Sequence, residues 1–309
     1  MQIIKAIREK TFLEKTKIHI EREWLKIHLK SDESLEKEMQ VRTFRRMQKR
    51  YGKWLNEYAE NINMQKPCGT TNVGKKVWMC WLQGEENAPD LVKACISSVK
   101  RNLPEMQLVI ITEENMADYV ELPEHIVEKR QKGLIGNAHF SDILRTELLC
   151  KYGGMWLDAT VLCTGQGLPD YMRNTDLFVY QVVNLSRKEQ PIVSSSWLIY
   201  AKKEEPILMA VRSMLYDYWE DHNKEENYFM WHILFTLACT AFRKEWKAVP
   251  VYNNQSPHVL QFELNEKYNE KRLEQIKIMS DFHKLNHHIN YSAEGTFYEH
   301  IIKEYGENV

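Results

Sequence analysis

The stretch SDILRTELLCKYGGMWLDAT, residues 141–160, holds an acid and a base three positions apart, a Gly pair and a lone carboxylate. Successive helical residues rotate by about 100°, so Asp142 and Arg145 lie about 60° apart and can face one space. The same spacing also suits a surface ion pair of little energetic value. After Tyr152, Gly153 and Gly154 can end a helix in a left-handed turn that only Gly adopts cheaply. The following strand, MWLDATVL, then carries Trp156, Asp158 and Thr160 on one face and Met155, Leu157, Ala159 and Val161 on the other. A carboxylate in so apolar a strand needs a partner. A divalent cation would supply one, and so would a capping hydrogen bond at the strand's end.

The elements that must position these residues are legible around them. KVWMCWL (76–82) reads as a buried strand, PDLVKACISSVKRNLP (89–104) as an amphipathic helix and QLVIIT (107–112) as a second buried strand, a unit that builds parallel sheets. DLFVYQVV (176–183) and SSSWLIYAKK (194–203) are further strand candidates. Pro206 can start a helix reaching about Asp221, and YFMWHILFTLACTAF (228–242) reads as a buried helix. Residues 3–64 contain no Pro and one Gly, with apolar residues at helical spacing, which predicts two or three helices broken near residues 30–33, where Ser31 or Asp32 could cap. KPCGTTNVGKK (66–76) reads as a linker. The expected division is a basic helical extension over 1–66 and an α/β domain over 67–309.

Composition excludes several classes. Of 309 residues 43% are hydrophobic and 28% charged, as in an ordinary folded protein. The formal net charge of -1 conceals a balance of +6 in residues 1–66 and -7 in the remainder. A uniformly basic nucleic-acid binder would not be so divided, and neither zinc-finger spacing nor a basic region followed by heptads occurs. The six cysteines form no CxxC pair and read as small hydrophobes of a reducing compartment. No signal peptide is recognisable and the most apolar run, 230–242, is too short to span a bilayer, so a cytoplasmic location is expected. The basic face of the extension, with Arg42, Arg45, Arg46, Lys49, Arg50 and Lys53, fits either helices packed on the main domain with a solvated basic side or contact with an anionic inner membrane surface. There is no GxGxxG after the first strand, no phosphate loop and no GxSxG elbow.

The run Ser141, Asp142, Arg145, Leu149, Gly153, Gly154 and Asp158 resembles the sugar-nucleotide-binding core of glycosyltransferase family 32 and of clostridial-toxin glucosyltransferases. The ending YGGMWLDATV looks most like the bacterial capsular polysaccharide synthesis branch. The resemblance is strong over 138–162 and extends over roughly 75–290. It implies a GT-A-like α/β fold with a mostly parallel sheet behind an N-terminal helical extension. It also implies transfer of a sugar, with retention, from a nucleotide diphosphate sugar, UDP-sugars being the leading class, to a hydroxyl of a capsular or cell-surface glycan that is free or lipid-linked.

By that resemblance Trp81 stacks on the nucleotide base beside Leu82 and Gln83, and Asp142 and Arg145, with Ser141 adjacent, bind donor-sugar hydroxyls and diphosphate. Trp156 belongs to the same nucleotide-sugar site. A rigid aromatic at the carboxyl end of a parallel strand also agrees with where α/β sheets place ligands, although a core Trp fits that strand as well. Asp158 matches the first acid of a metal-binding Asp-x-Asp motif for Mn²⁺ or Mg²⁺, and Thr160 replaces the second. A hydroxyl brings no charge to a metal, so a further ligand is expected, with His283 the candidate and Lys284 offsetting leaving-group charge. Tyr228 and His232 are candidates for the acceptor side; a buried helix with a hydrogen-bonded His is the plainer reading. A non-catalytic scaffold that keeps the fold is the rival function, and a metal-dependent hydrolase a lesser one.

Overall fold

A computed structural model describes residues 2–29, 31–65, 74–183, 190–292 and 294–306. Helices α1 (Gln2–His28) and α2 (Asp32–Gln65) precede the alternating part of the chain. There follow β1 (Lys76–Cys80), α3 (Asp90–Asn102), β2 (Gln107–Ile111), α4 (Asn137–Tyr152), β3 (Gly154–Leu157) and β4 (Val161–Cys163). Next come β5 (Leu177–Gln181), β6 (Ser194–Ala201), α5 (Pro206–Asp221), α6 (Met230–Ala241), β7 (Phe282–Lys284) and α7 (Phe297–Tyr305).

The central sheet has the order β2-β1-β3-β6-β5. β1 is parallel to both β2 and β3, whereas β6 runs antiparallel to β3 and β5. Four strands therefore point one way, giving the mostly parallel sheet expected, and β6 alone opposes them. The near-continuous apolar runs arise because the sheet is covered on both faces. Trp78, Val109, Trp156, Val179 and Ile199 join one core with α2, α4, α5 and α6. Their alternates Val77, Met79, Met155, Leu157, Phe178 and Leu198 join another core with α3.

The break between α1 and α2 falls where expected, and Ser31 Oγ accepts from the Ser34 amide at 3.2 Å. The helical extension packs on the main domain, as one of its two readings has it. Phe44, Met47, Tyr51, Leu55 and Ala59 of α2 enter the main core. The basic residues expected to form a surface are largely tied inward or along the helices. Arg42 pairs with Glu21 and Glu38, Arg46 with Glu21 and Glu226, and Arg50 with Asp217 and Asp221 of α5. Residues 66–73 of the expected linker, and with them the 66/67 boundary, lie outside the described residues.

Two features place the Ser141–Thr160 stretch. Gly153 (φ 66°) and Gly154 (φ 99°) take backbone conformations that a side chain disfavours. A Cβ on Gly153 would stand 2.6 Å from the Lys203 amide, and one on Gly154 would stand 2.4 Å from the Lys76 carbonyl. The helix thus turns into the sheet with no intervening loop. The single strand expected for MWLDATVL is instead two. Asp158 N bonds the Trp197 carbonyl at 2.8 Å, and Asp158 O takes the Val161 amide at 3.0 Å, closing a tight turn between β3 and β4. β4 then leaves the central sheet and pairs antiparallel with β7. Asp158 and Thr160 consequently share a turn at the carboxyl end of β3 rather than one face of a strand.

Candidate functional site

A cavity of about 510 Å³ opens at the carboxyl ends of β1 and β3, where open α/β sheets place ligands. Trp81 follows β1, Asp158 and Thr160 follow β3, and the early turns of α4 supply Ser141, Asp142 and Arg145. Residues 284–288, at and beyond the end of β7, close another side.

Arg145 is the hub. It is 5% exposed and its Nη1 donates to the Ser196 carbonyl at 2.6 Å. Nη2 donates to Ser141 Oγ at 3.1 Å and lies 3.5 Å from both Asp142 Oδ1 and Asp158 Oδ1. Its guanidinium sits 5.0 Å from the Trp156 ring centroid. The i,i+3 pair read from the sequence is therefore a buried pair facing Asp158, held in one rotamer by a carbonyl and an indole. That fixation makes Arg145 a rigid donor to whatever enters the cavity.

Asp158 receives Trp156 Nε1 on Oδ1 at 3.0 Å, and Lys284 Nζ lies 3.3 Å from Oδ2. Burial works against its charge, but Lys284 and then Arg145 more than offset this and hold its carboxyl below the usual range. Lys284 Nζ also donates to Thr160 Oγ1. Asp142 has the opposite fate. Burial dominates, Arg145 offsets only part of it, Asp158 adds repulsion, and the carboxyl rises to about 7.

This donor set does not fit a divalent cation. Both oxygens of Asp158 already face cations or an indole N–H, Thr160 Oγ1 is taken by Lys284, and the expected third ligand is elsewhere. His283 is fully buried, donates or accepts at Thr164 Oγ1 over 2.9 Å, and does not line the cavity. The reason is strand parity. Lys284 next to it faces the cavity, so His283 points the other way, and burial lowers its pKa to about 4. Among the described residues no three His, Cys, Asp or Glu side chains converge as a metal site.

Of the other expected residues, Trp81 lines the cavity with its Nε1 buried and without a partner, its ring 5.3 Å from His287 and edge-on. Leu82 and Gln83 are outside the lining: Leu82 packs on the main core and Gln83 is exposed, its carbonyl accepting from Asn87. Tyr228 and His232 both border the cavity, although Tyr228 precedes α6 and is 64% exposed. His232 Nδ1 has no partner, contrary to the backbone hydrogen bond of the plainer reading. Burial, reinforced by Arg145, lowers its pKa to about 3 and keeps it neutral. Sequence reasoning missed His139, whose Nδ1 is 4.0 Å from Asp142 Oδ2, and the Ser196 carbonyl. The i,i+3 spacing of His139 and Asp142 was the available signal; a backbone acceptor leaves none.

Two solved structures are similar at low identity. The first, "PaToxG Glycosyltransferase", is 14% identical, with 80% of this chain and 94% of that chain covered and a TM-score of 0.37. The second, described as "Crystal structure of bacterial N-acetylglucosamine transferase NleB", is 10% identical, with 66% and 92% covered and a TM-score of 0.27. No curated protein matches the chain. A family model described as "Capsular polysaccharide synthesis protein" matches residues 22–301, spanning α2, the central sheet and every residue of the cavity. The chain belongs to the capsular polysaccharide synthesis protein family.

Proposed function

We propose that the protein is a glycosyltransferase that moves a sugar, with retention, from a nucleotide diphosphate sugar of the UDP class to a hydroxyl of a capsular or cell-surface glycan. The observation that carries this reading is the convergence of Asp142, Arg145, Asp158 and Lys284 beside Trp81 at the carboxyl ends of β1 and β3. Family membership agrees with it.

In this reading Trp81 offers a face to the base and Asp142 accepts from donor-sugar hydroxyls. Arg145 and Lys284 meet the charge that develops on the departing diphosphate, as preorganised cations in a partly desolvated site do. Asp158 serves as their anchor. It keeps Lys284 and Arg145 aimed at one space, the task a metal would perform if Asp158 and a second acid bound one. As the bond from the sugar's anomeric carbon to the diphosphate oxygen breaks, the acceptor oxygen bonds that carbon and its proton passes to the leaving phosphate. We therefore infer transfer independent of Mn²⁺ or Mg²⁺. We also propose peripheral membrane contact through α1, supported by an exposed stripe of Phe12, Leu13, Ile20, Trp24 and Ile27.

The test is UDP release from a panel of UDP-sugars, with and without glycan acceptors, in the wild type and in Asp142→Ala and Asp158→Ala. Loss of release in both variants is expected; unchanged release in both overturns the site. UDP binding without turnover of any donor would instead identify a non-catalytic scaffold.

A further inference from the structure

A second cavity, of about 560 Å³, lies beside the first, and Tyr228 lines both. It is bounded by α1, α2 and the 222–228 segment that joins α5 to α6. Tyr228 is thus a wall common to both cavities.

The charges on this lining differ in how far they are already engaged. Glu226 accepts from Arg46 Nε at 2.8 Å, and Glu36 takes the Gln40 and Asn227 amides at 3.5 Å each. Lys15, Arg22 and Lys224 are exposed and carry no ion pair among the described residues. His19 stands among them, and Glu225 is the one acid of this lining without a hydrogen bond or ion pair among the described residues. Amide donors leave the charge of Glu36 in place, so three cations without ion pairs stand against two such carboxylates, Glu36 and Glu225, and the surplus positive charge makes the space receptive to an anion. Ile18 and Met39 add apolar lining, so the cavity suits a group with both charge and hydrocarbon.

We propose that the second cavity is an acceptor subsite for a phosphate or diphosphate group, held by Lys15, Arg22 and Lys224, while the acceptor's sugar hydroxyl lies past Tyr228 in the first cavity. The assignment of the hydroxyl rests on the transfer reading above; the anion site itself does not. Tyr228, exposed at the junction, supplies an aromatic face on which a sugar ring can lie. The phosphate group is that of a sugar phosphate, either free in solution or joined to a lipid tail.

Isothermal titration of the full chain with inorganic pyrophosphate, in the presence of excess UDP, tests the subsite. Wild-type protein is expected to bind pyrophosphate, with affinity falling as salt is added. Arg22→Ala combined with Lys224→Ala is expected to weaken that binding at least tenfold; both side chains are exposed, so the core is untouched. Lys284→Ala is expected to weaken UDP binding and leave the pyrophosphate site intact. Absence of pyrophosphate binding to the wild type, or equal binding to the double variant, overturns the proposal. Failure of UDP to bind overturns the transfer reading alone, because wild type and double variant are still compared directly. Repeating the titration with an alkyl-tailed sugar diphosphate separates the sources: tighter binding than pyrophosphate assigns the subsite to lipid-linked acceptors, and equal binding to soluble ones.

Discussion

Lys284 Nζ stands 3.3 Å from Asp158 Oδ2 and donates to Thr160 Oγ1, so one ammonium group joins the two positions of the Asp-Ala-Thr turn. A Thr in place of a second acid removes one negative charge from that turn. With two carboxylates there, a monovalent ammonium would leave a net negative charge; with one, Lys284 balances Asp158, and Arg145, shared between Asp142 and Asp158, can meet an incoming diphosphate. Lys284 thus neutralises the one acid that the Asp-Ala-Thr turn carries.

Asp142 sets a pH dependence. Its buried carboxyl, raised to about 7, ionises around neutrality, so kcat/KM is expected to rise with pH through about 7 and level off. Asp142→Asn is expected to lose this limb along with about a hundredfold in activity, on the scale of a lost charged contact to the reacting sugar. The same shift acts on stability. The fold holds the proton more tightly than the unfolded chain, so the contribution is complete below about 4 and is lost as pH rises to about 7. A pH series of kcat/KM and of urea midpoints checks both; an unaltered limb in the Asn variant assigns the titration to another group.

Gly153→Ala is expected to destabilise the protein by about 1–3 kcal/mol, because φ is 66° and the added methyl meets the Lys203 amide. Chemical denaturation measures it. A loss below about 0.5 kcal/mol would mean that the α4–β3 junction relaxes without harm.

The outer face of α1 offers a test of membrane contact through the helical extension. Phe12, Leu13, Ile20, Trp24 and Ile27 are 52–80% exposed and fall within about 120° of helix surface, away from the buried Leu25. Lys17 is exposed beside them. A Trp among aliphatics with basic neighbours suits the interface of an anionic bilayer. Sedimentation with vesicles of phosphatidylcholine and 30% phosphatidylglycerol is expected to carry down the wild type and to lose most of it in Phe12→Ser combined with Trp24→Ser and Ile27→Ser. Equal sedimentation of both proteins would count against contact through this face. Arg42, Arg46 and Arg50 are not expected to matter directly, since they are ion-paired to other parts of the fold.

The parts of the site that were legible are those governed by local periodicity. Helical rotation brought Asp142 and Arg145 to one side, and Gly153-Gly154 marked the helix end, because both follow from geometry within a few residues. The Asp158–Val161 turn was hidden, since it depends on the Trp197 carbonyl of β6, far along the chain. Strand parity decided between His283 and Lys284, and that parity is set by the pairing of β7 with β4. The ion pairs of Arg46 and Arg50 were hidden for a similar reason: their partners Asp217, Asp221 and Glu226 are more than 160 residues away.

The central claim, that Lys284 supplies the charge a divalent ion would otherwise bring, is tested by UDP-sugar turnover in excess EDTA, in wild type and in Lys284→Ala. Wild-type turnover is expected to persist in EDTA and Lys284→Ala to lose roughly 10²–10³-fold, the scale of one preorganised charge at a transition state. Turnover abolished by EDTA and restored by Mn²⁺, with Lys284→Ala close to wild type, would contradict it.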